Sequence, residues 1–214
     1  MAGATNGVFH ISVARFGQEY IYRTEQQVLY LLSRFSIGIG NVLNSNSSSS
    51  VAGSADGRFF AWLGEAQWVR QLEFLRTQLV SRVTAHLTPD HVFPLEQIAA
   101  GGRYSVRGYR EYALVRDNAT LASFEARVPI YTTAAGVDTL FLAPFVDYGR
   151  AWDSQVETPD PKTLASIGGG FIWNIPWKDS RFELYYGKQL NRLKLGDDTL
   201  QDYGIHLQLL IQAF

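Results

Sequence analysis

The chain predicts an all-β fold, an antiparallel transmembrane β-barrel, and three observations carry that expectation. Apolar and polar residues alternate with a period of two through most of the sequence. The alternating segments exceed the ~5–6 residues usual for strands of globular proteins and suit the ~9–11 that cross a bilayer at a tilt. The connections between them alternate between short and long, as in a barrel with tight turns at one rim and extended loops at the other. A soluble β-sandwich or lipocalin-like barrel shares the first observation and stands as the alternative from pattern alone.

Nine strands are expected, at about 7–17, 26–42, 58–71, 74–87, 119–130, 138–151, 163–175, 180–191 and 202–214. The connections 18–25, 72–73, 131–137 and 176–179 are short or moderate, whereas 43–57, 88–118, 152–162 and 192–201 are longer. The faces are distinct. In 119–130, Ala122, Phe124, Ala126 and Val128 share one face, with Ser123, Glu125 and Arg127 on the other. In 180–191, Phe182, Leu184 and Tyr186 oppose Arg181, Glu183 and Tyr185. In 58–71, Phe60, Trp62, Ala66 and Trp68 oppose Glu65 and Gln67. Charges on the second face are expensive in lipid and acceptable in a water-filled lumen. The run from Asn44 to Ser50 cannot bury enough apolar surface to order itself and reads as an external loop.

Composition narrows the function. With 214 residues the chain is one domain or part of a larger one. A formal charge of −1 argues against a nucleic-acid partner. The absence of cysteine suits passage through an oxidising periplasm. Thirteen Phe, 11 Tyr and 5 Trp fit aromatic girdles at membrane interfaces. No apolar run reaches the ~18 residues of a membrane helix. Met1 to Asn6 lacks the charged and apolar regions of a signal peptide, so either the start has been lost or the chain is expected to be a fragment of a longer protein. His10, His86, His91 and His206 lack metal-ligand spacing, and the latter two of the first three read as solvated residues beside a Pro-Asp turn. Asp197-Asp198 reads as a solvated turn. No nucleophile elbow or phosphate-binding lysine is present, and the glycine clusters 101–102 and 168–170 lack a strand–turn–helix context. No catalytic, metal or cofactor site is expected, and the protein is not expected to be an enzyme.

Three features remain. Val106-Arg107-Gly108-Tyr109 lies in the longest loop. Alternation puts Phe145, Asp147 and Gly149 on one face of their strand, opposite Leu142, Val146 and Tyr148. The chain ends on Phe214, an aromatic that could act as an assembly signal or simply occupy a plain strand. The run Pro94 to Tyr109 resembles the E-Q-F-x-x-G-G-x-x-S-V-R-G-Y block of the two-partner secretion transporters, the ShlB/FhaC/HecB group, which are relatives of the barrel-assembly protein BamA. Ser123-Phe124-Glu125-Ala126-Arg127-Val128-Pro129 resembles their S-x-E-x-R-x-P strand, and Phe145 to Trp152 their F-x-D-x-G-x-x-W strand. The resemblance covers residues 74–214 by motif and 7–71 by pattern.

The resemblance implies a barrel of sixteen strands whose V-R-G-Y motif tips the sixth external loop, folded into the lumen. Five strands follow Tyr109 and would be strands twelve to sixteen; the preceding four would be eight to eleven. Residues 1–214 would then be the C-terminal part of the barrel, without its first seven strands and its periplasmic POTRA domains. The implied activity is an outer-membrane pore that secretes a large exoprotein, threaded unfolded and without nucleotide or metal. Its partners would be that exoprotein, the lipid bilayer and the outer-membrane assembly machinery. Arg107 would pair with lumen-facing Asp147, while Glu125 and Arg127 could extend the network; without the resemblance, Arg107 reads as a solvated turn residue. A BamA-like assembly factor and a soluble β-sandwich or barrel binding module are the alternatives. The last strand departs from the family pattern: Ile205, Leu207, Leu209 and Ile211 share one face, and Gln208, Gln212 and Phe214 the other. A bulge near Leu209–Ile211 or an altered end would explain this.

Overall fold

A computed structural model describes residues 10–40, 55, 57–175, 180–193 and 200–211. The strands are β1 (Val13–Arg23), β2 (Gln27–Gly38), β3 (Phe59–Gln71), β4 (Gln78–Leu87), β5 (Ile98–Ala100), β6 (Leu114–Arg116), β7 (Asn118–Thr132), β8 (Asp138–Leu142), β9 (Phe145–Trp152), β10 (Thr163–Ile175), β11 (Ser180–Gln189) and β12 (Ile205–Ile211). All except β5 and β6 form one antiparallel sheet in the order β1-β2-β3-β4-β7-β8-β10-β11-β12, with β9 also between β7 and β10. Consecutive wall strands therefore pair with their neighbours in sequence, the meander of a barrel wall. The small β5–β6 hairpin lies within the long connection between β4 and β7.

The distribution of apolar groups is inverted relative to a soluble sheet. Phe124, Val146, Ile167, Phe171, Trp173 and Tyr186 are exposed on the outward face. Glu125, Asp147, Glu183 and His206 are buried on the opposite face. Register aligns the outward residues in rows, for example Phe124 with Val146 and Val146 with Ile167. In water such a surface would drive association; in lipid it is the favourable one. The polar face encloses the long loop, whose Val106, Tyr109 and Ala113 pack with Leu121, Ala151 and Leu164 of the wall.

The wall departs from the expected strands at four places. The first was expected at 7–17 with a loop at 18–25, but β1 stays in register with β2 from Val13 opposite Gly38 to Arg23 opposite Val28. Its segment Gln18 to Arg23 carries apolar residues on both faces, which erases the period-two signal. The reversal is instead closed by Thr24, whose hydroxyl accepts the N–H groups of Gln26 (3.3 Å) and Gln27 (3.2 Å). The fourth strand begins at Gln78, not at 74. Phe74–Arg76 forms a 3₁₀ turn with Leu75 and Arg76 at φ 50° and 51°, which no strand accommodates. The sixth, expected as 138–151, is interrupted between β8 and β9 because Pro144 has no N–H for the ladder. Ala143 nevertheless exchanges both backbone hydrogen bonds with Gly170 (2.8 and 3.0 Å), so β8 and β9 run as one wall strand. The last strand starts at Ile205 after a 3₁₀ turn at Leu200–Tyr203, and its register with β11 has no shift up to Ile211. The bulge considered near Leu209–Ile211 is therefore not found. Phe214, the serine-rich run 44–50 and Asp197-Asp198 lie outside the described residues.

Candidate functional site: the folded-back loop and its lumenal wall

The loop tip is built to approach a wall closely. Gly101, Gly102 and Gly108 have φ of 107°, 99° and 92°, where a side chain would be strained. Ser105 accepts the Gly101 N–H on its hydroxyl (2.9 Å), and Gly102 N–H reaches the Val106 carbonyl (3.2 Å), closing a tight turn. The wall answers with glycines of its own. A β-carbon at Gly149 would lie 2.8 Å from Val106 Cγ2. One at Gly187 would lie 2.7 Å from the Gly108 nitrogen and 2.9 Å from the Arg107 carbonyl carbon. Backbone thus meets backbone where loop and wall touch.

This close approach delivers Arg107, 5% exposed, to a set of carboxylates on the inner face. Its Nε and Nη2 donate to Asp147 Oδ2 (2.8 Å) and Oδ1 (2.9 Å), a two-pronged pairing that fixes orientation as well as position. The Arg107 backbone N–H also donates to Asp147 Oδ2 (3.0 Å). Nη1 pairs with Glu125 of β7, and Nη2 donates to Ser123 Oγ (3.1 Å). The guanidinium lies over the Phe145 ring, 3.6 Å from its centroid, with the Tyr185 ring at 5.0 Å. Burial opposes the charge of Arg107, but Asp147 and Glu125 outweigh it and hold its pKa above the ordinary arginine value. Arg127 Nε donates to the other oxygen of Glu125 (2.7 Å), extending the network along β7.

The neighbouring residues seal the tip. Gly108 donates its N–H to His206 Nε2 of β12 (3.1 Å), and its carbonyl accepts from Gln189 Nε2 of β11 (2.7 Å). Tyr109 is 1% exposed, and its hydroxyl sits 2.9 and 2.7 Å from the carbonyl oxygens of Ala165 and Asn191. Arg110 pairs with Asp202 through Nε (2.8 Å) and Nη2 (2.5 Å). The tip is thereby tied to β7, β9, β10, β11, β12 and the turn before β12.

A further buried carboxylate, which the sequence reading did not single out, holds the root of the loop. Asp117 is fully buried. Its oxygens accept from Gln97 Nε2 (2.9 Å) and the backbone N–H groups of Val92 (3.2 Å) and Ser154 (2.9 Å), and lie 2.7 Å from His91 Nδ1. His86 Nδ1 lies 2.8 Å from the Asp117 carbonyl oxygen. His86 and His91 are thus partners of one buried residue, not the solvated turn residues expected, because the loop folds back over them. Asn118 beside it accepts the Thr88 N–H (2.7 Å) and donates to Ser154 Oγ (2.7 Å). The contributors are spread from His86 to Ser154, so no spacing reveals them. The one local sign, the polar run Arg116-Asp117-Asn118 at the foot of β7, looks like any solvated turn. Among the described residues no cluster of potential ligands could hold a metal ion.

Comparison with known proteins places the chain. The profile of the haemolysin secretion/activation protein family ShlB/FhaC/HecB matches residues 8–189. Among solved structures, CdiB from Escherichia coli superposes with a TM-score of 0.71 at 18% identity, covering 94% of this chain and 36% of that one. BamA from Haemophilus ducreyi, in a structure lacking POTRA domains 1-3, gives a TM-score of 0.59 at 13% identity, covering 93% of this chain and 41% of that one. The chain therefore spans well under half the length of either. No curated protein matches it significantly. The match over most of the sequence and the shared barrel wall show that the chain belongs to the ShlB/FhaC/HecB family of outer-membrane β-barrel proteins.

Proposed function

We propose that this chain is the C-terminal part of a two-partner secretion transporter, with the first seven strands and the POTRA domains supplied by the rest of the protein. It works as a pore, not as an enzyme. The cargo is a large exoprotein of haemolysin or adhesin type, threaded unfolded through the lumen, and the barrel reaches its bilayer through the outer-membrane assembly machinery. One observation carries the reading most strongly: a loop arginine is buried against Asp147 and Glu125 of the inner wall. The loop rests in the lumen as a plug, and this ion pair is its latch. Passage of cargo requires the loop to leave or shift, so the latch must hold without being permanent. A buried pair suits that task, since its attraction nearly balances the desolvation of its members.

The test is export by the full-length transporter. Arg107→Ala leaves two buried carboxylates without their main partner, a change that typically weakens such an arrangement by about 3–5 kcal/mol. Export of the cognate exoprotein should depart from the wild-type level, because the plug no longer rests in its seat, while the amount of barrel in the membrane is unchanged. Arg107→Lys should recover little, because an ammonium cannot form the two-pronged pairing. Normal export by Arg107→Ala would overturn the latch.

A further inference from the structure

Beside the latch lies a cavity of about 320 Å³, bounded by the loop and by the inner faces of β4, β7, β11 and β12. Its charge is one-sided. The guanidiniums of Arg82, Arg103, Arg107, Arg127 and Arg181 line it, and the only carboxylates among its lining residues are Glu125 and Glu183. Those two are already engaged. Glu125 holds Arg107 and Arg127, and Glu183 pairs with Arg103 and Arg181. Asp147, another nearby carboxylate, is taken up by Arg107. Glu111 accepts the Arg103 backbone N–H (2.8 Å).

Two guanidiniums have donors with neither an acceptor nor an ion-pair partner at hand, whereas the Arg181 Nε, also without a hydrogen bond, meets Glu183 Oε1 at 2.5 Å. Arg82, on the lumen face of β4, makes no hydrogen bond or ion pair among the described residues. Arg103 reaches Glu183 through Nη2, but its Nε and Nη1 are shielded from solvent with no hydrogen-bond acceptor. Its position is held by the rings of Tyr104 and Tyr185, each with its centroid 5.4 Å from the guanidinium carbon. Shielded donors of a charged group without an acceptor are unfavourable, and an incoming oxyanion would satisfy them. Arginine presents its donors as a planar fork that suits a carboxylate.

We propose that this cavity is a seat for a carboxylate carried by an extended acidic peptide, with Arg82 and Arg103 as its contacts. The assignment of a peptide rests on the pore reading above, since the cavity opens on the face along which cargo would pass. A carboxylate there would compete with Glu183 for Arg103, beside the arginine that anchors the loop. An acidic segment of cargo could in this way loosen the plug from within.

The experiment is calorimetric titration of the full-length protein, folded in detergent, with hexaglutamate, with hexaglutamine and with inorganic phosphate. It reads binding alone, so it stands apart from any export result and from the fate of the latch. Hexaglutamate is expected to bind and hexaglutamine not. Arg82→Gln should weaken hexaglutamate binding at least about tenfold, the loss of one charge-assisted contact. Arg82 has no partner to leave unpaired, so the variant should fold; Arg82→Lys, which keeps the charge, should retain most of the binding. The proposal is overturned if hexaglutamate does not bind, if hexaglutamine binds equally, if only phosphate binds, or if Arg82→Gln binds like the wild type.

Discussion

At the scale of single residues, the loop and wall fit closely because glycines stand where their backbones touch. A β-carbon on Gly187 would collide with the backbone of Arg107 and Gly108, which cannot move without dragging the latch with it. Gly187→Ala should therefore displace the tip, at a cost of about 1–3 kcal/mol as for overpacked sites. Faster trypsin cleavage after Arg107, in a barrel of unchanged amount, would show it. Asp117 makes a different prediction. Asp117→Ala leaves the buried N–H of Val92 and the half-buried donors of Gln97 and Ser154 without this acceptor, at up to about 1–3 kcal/mol for the buried one. Amide exchange in residues 88–117 should rise, while the ladder of β10 and β11 stays protected. Arg107 and Asp147 were legible from the sequence because each sits in a distinctive run and because the family resemblance paired them. Asp117 was not, since its partners come from the opposite limb of its loop and from the next loop.

At the scale of elements, alternation identified the two faces of each strand and so predicted the inner and outer surfaces together. It failed where polarity did not alternate, as in Gln18 to Arg23, and where backbone constraints overrode it, as at Leu75 and Pro144. The outward rows supply a test. Val146 faces outward between Phe124 and Ile167. Val146→Arg should destabilise the barrel by about 2–4 kcal/mol if that row lies near the bilayer midplane. The readout is urea-dependent folding of the full-length protein into lipid vesicles. A serine at the same position should cost far less, because the penalty arises from placing charge in hydrocarbon.

At the scale of the whole molecule, a continuous antiparallel wall encloses a polar, loop-filled interior. A barrel closed by its hydrogen-bond ladder resists detergent until heated, so the full-length protein should migrate faster on a gel unheated than boiled. Identical migration would argue for a soluble β fold. The sequence by itself determined the all-β class, the approximate strands, the inside-out faces and the motifs that mark the family, because these depend on local periodicity and on short runs of residues. Only the tertiary structure decided what meets inside. It brought Arg107 between Asp147 and Glu125, set Gly108 against Gly187, and gathered His91, Gln97 and Ser154 around Asp117. It also left Arg82 facing a cavity with no partner among the described residues. These contacts join residues tens of positions apart, and their existence depends on how a long loop turns back into the lumen. Period-two alternation says which face a side chain occupies, but not what it will find across the interior.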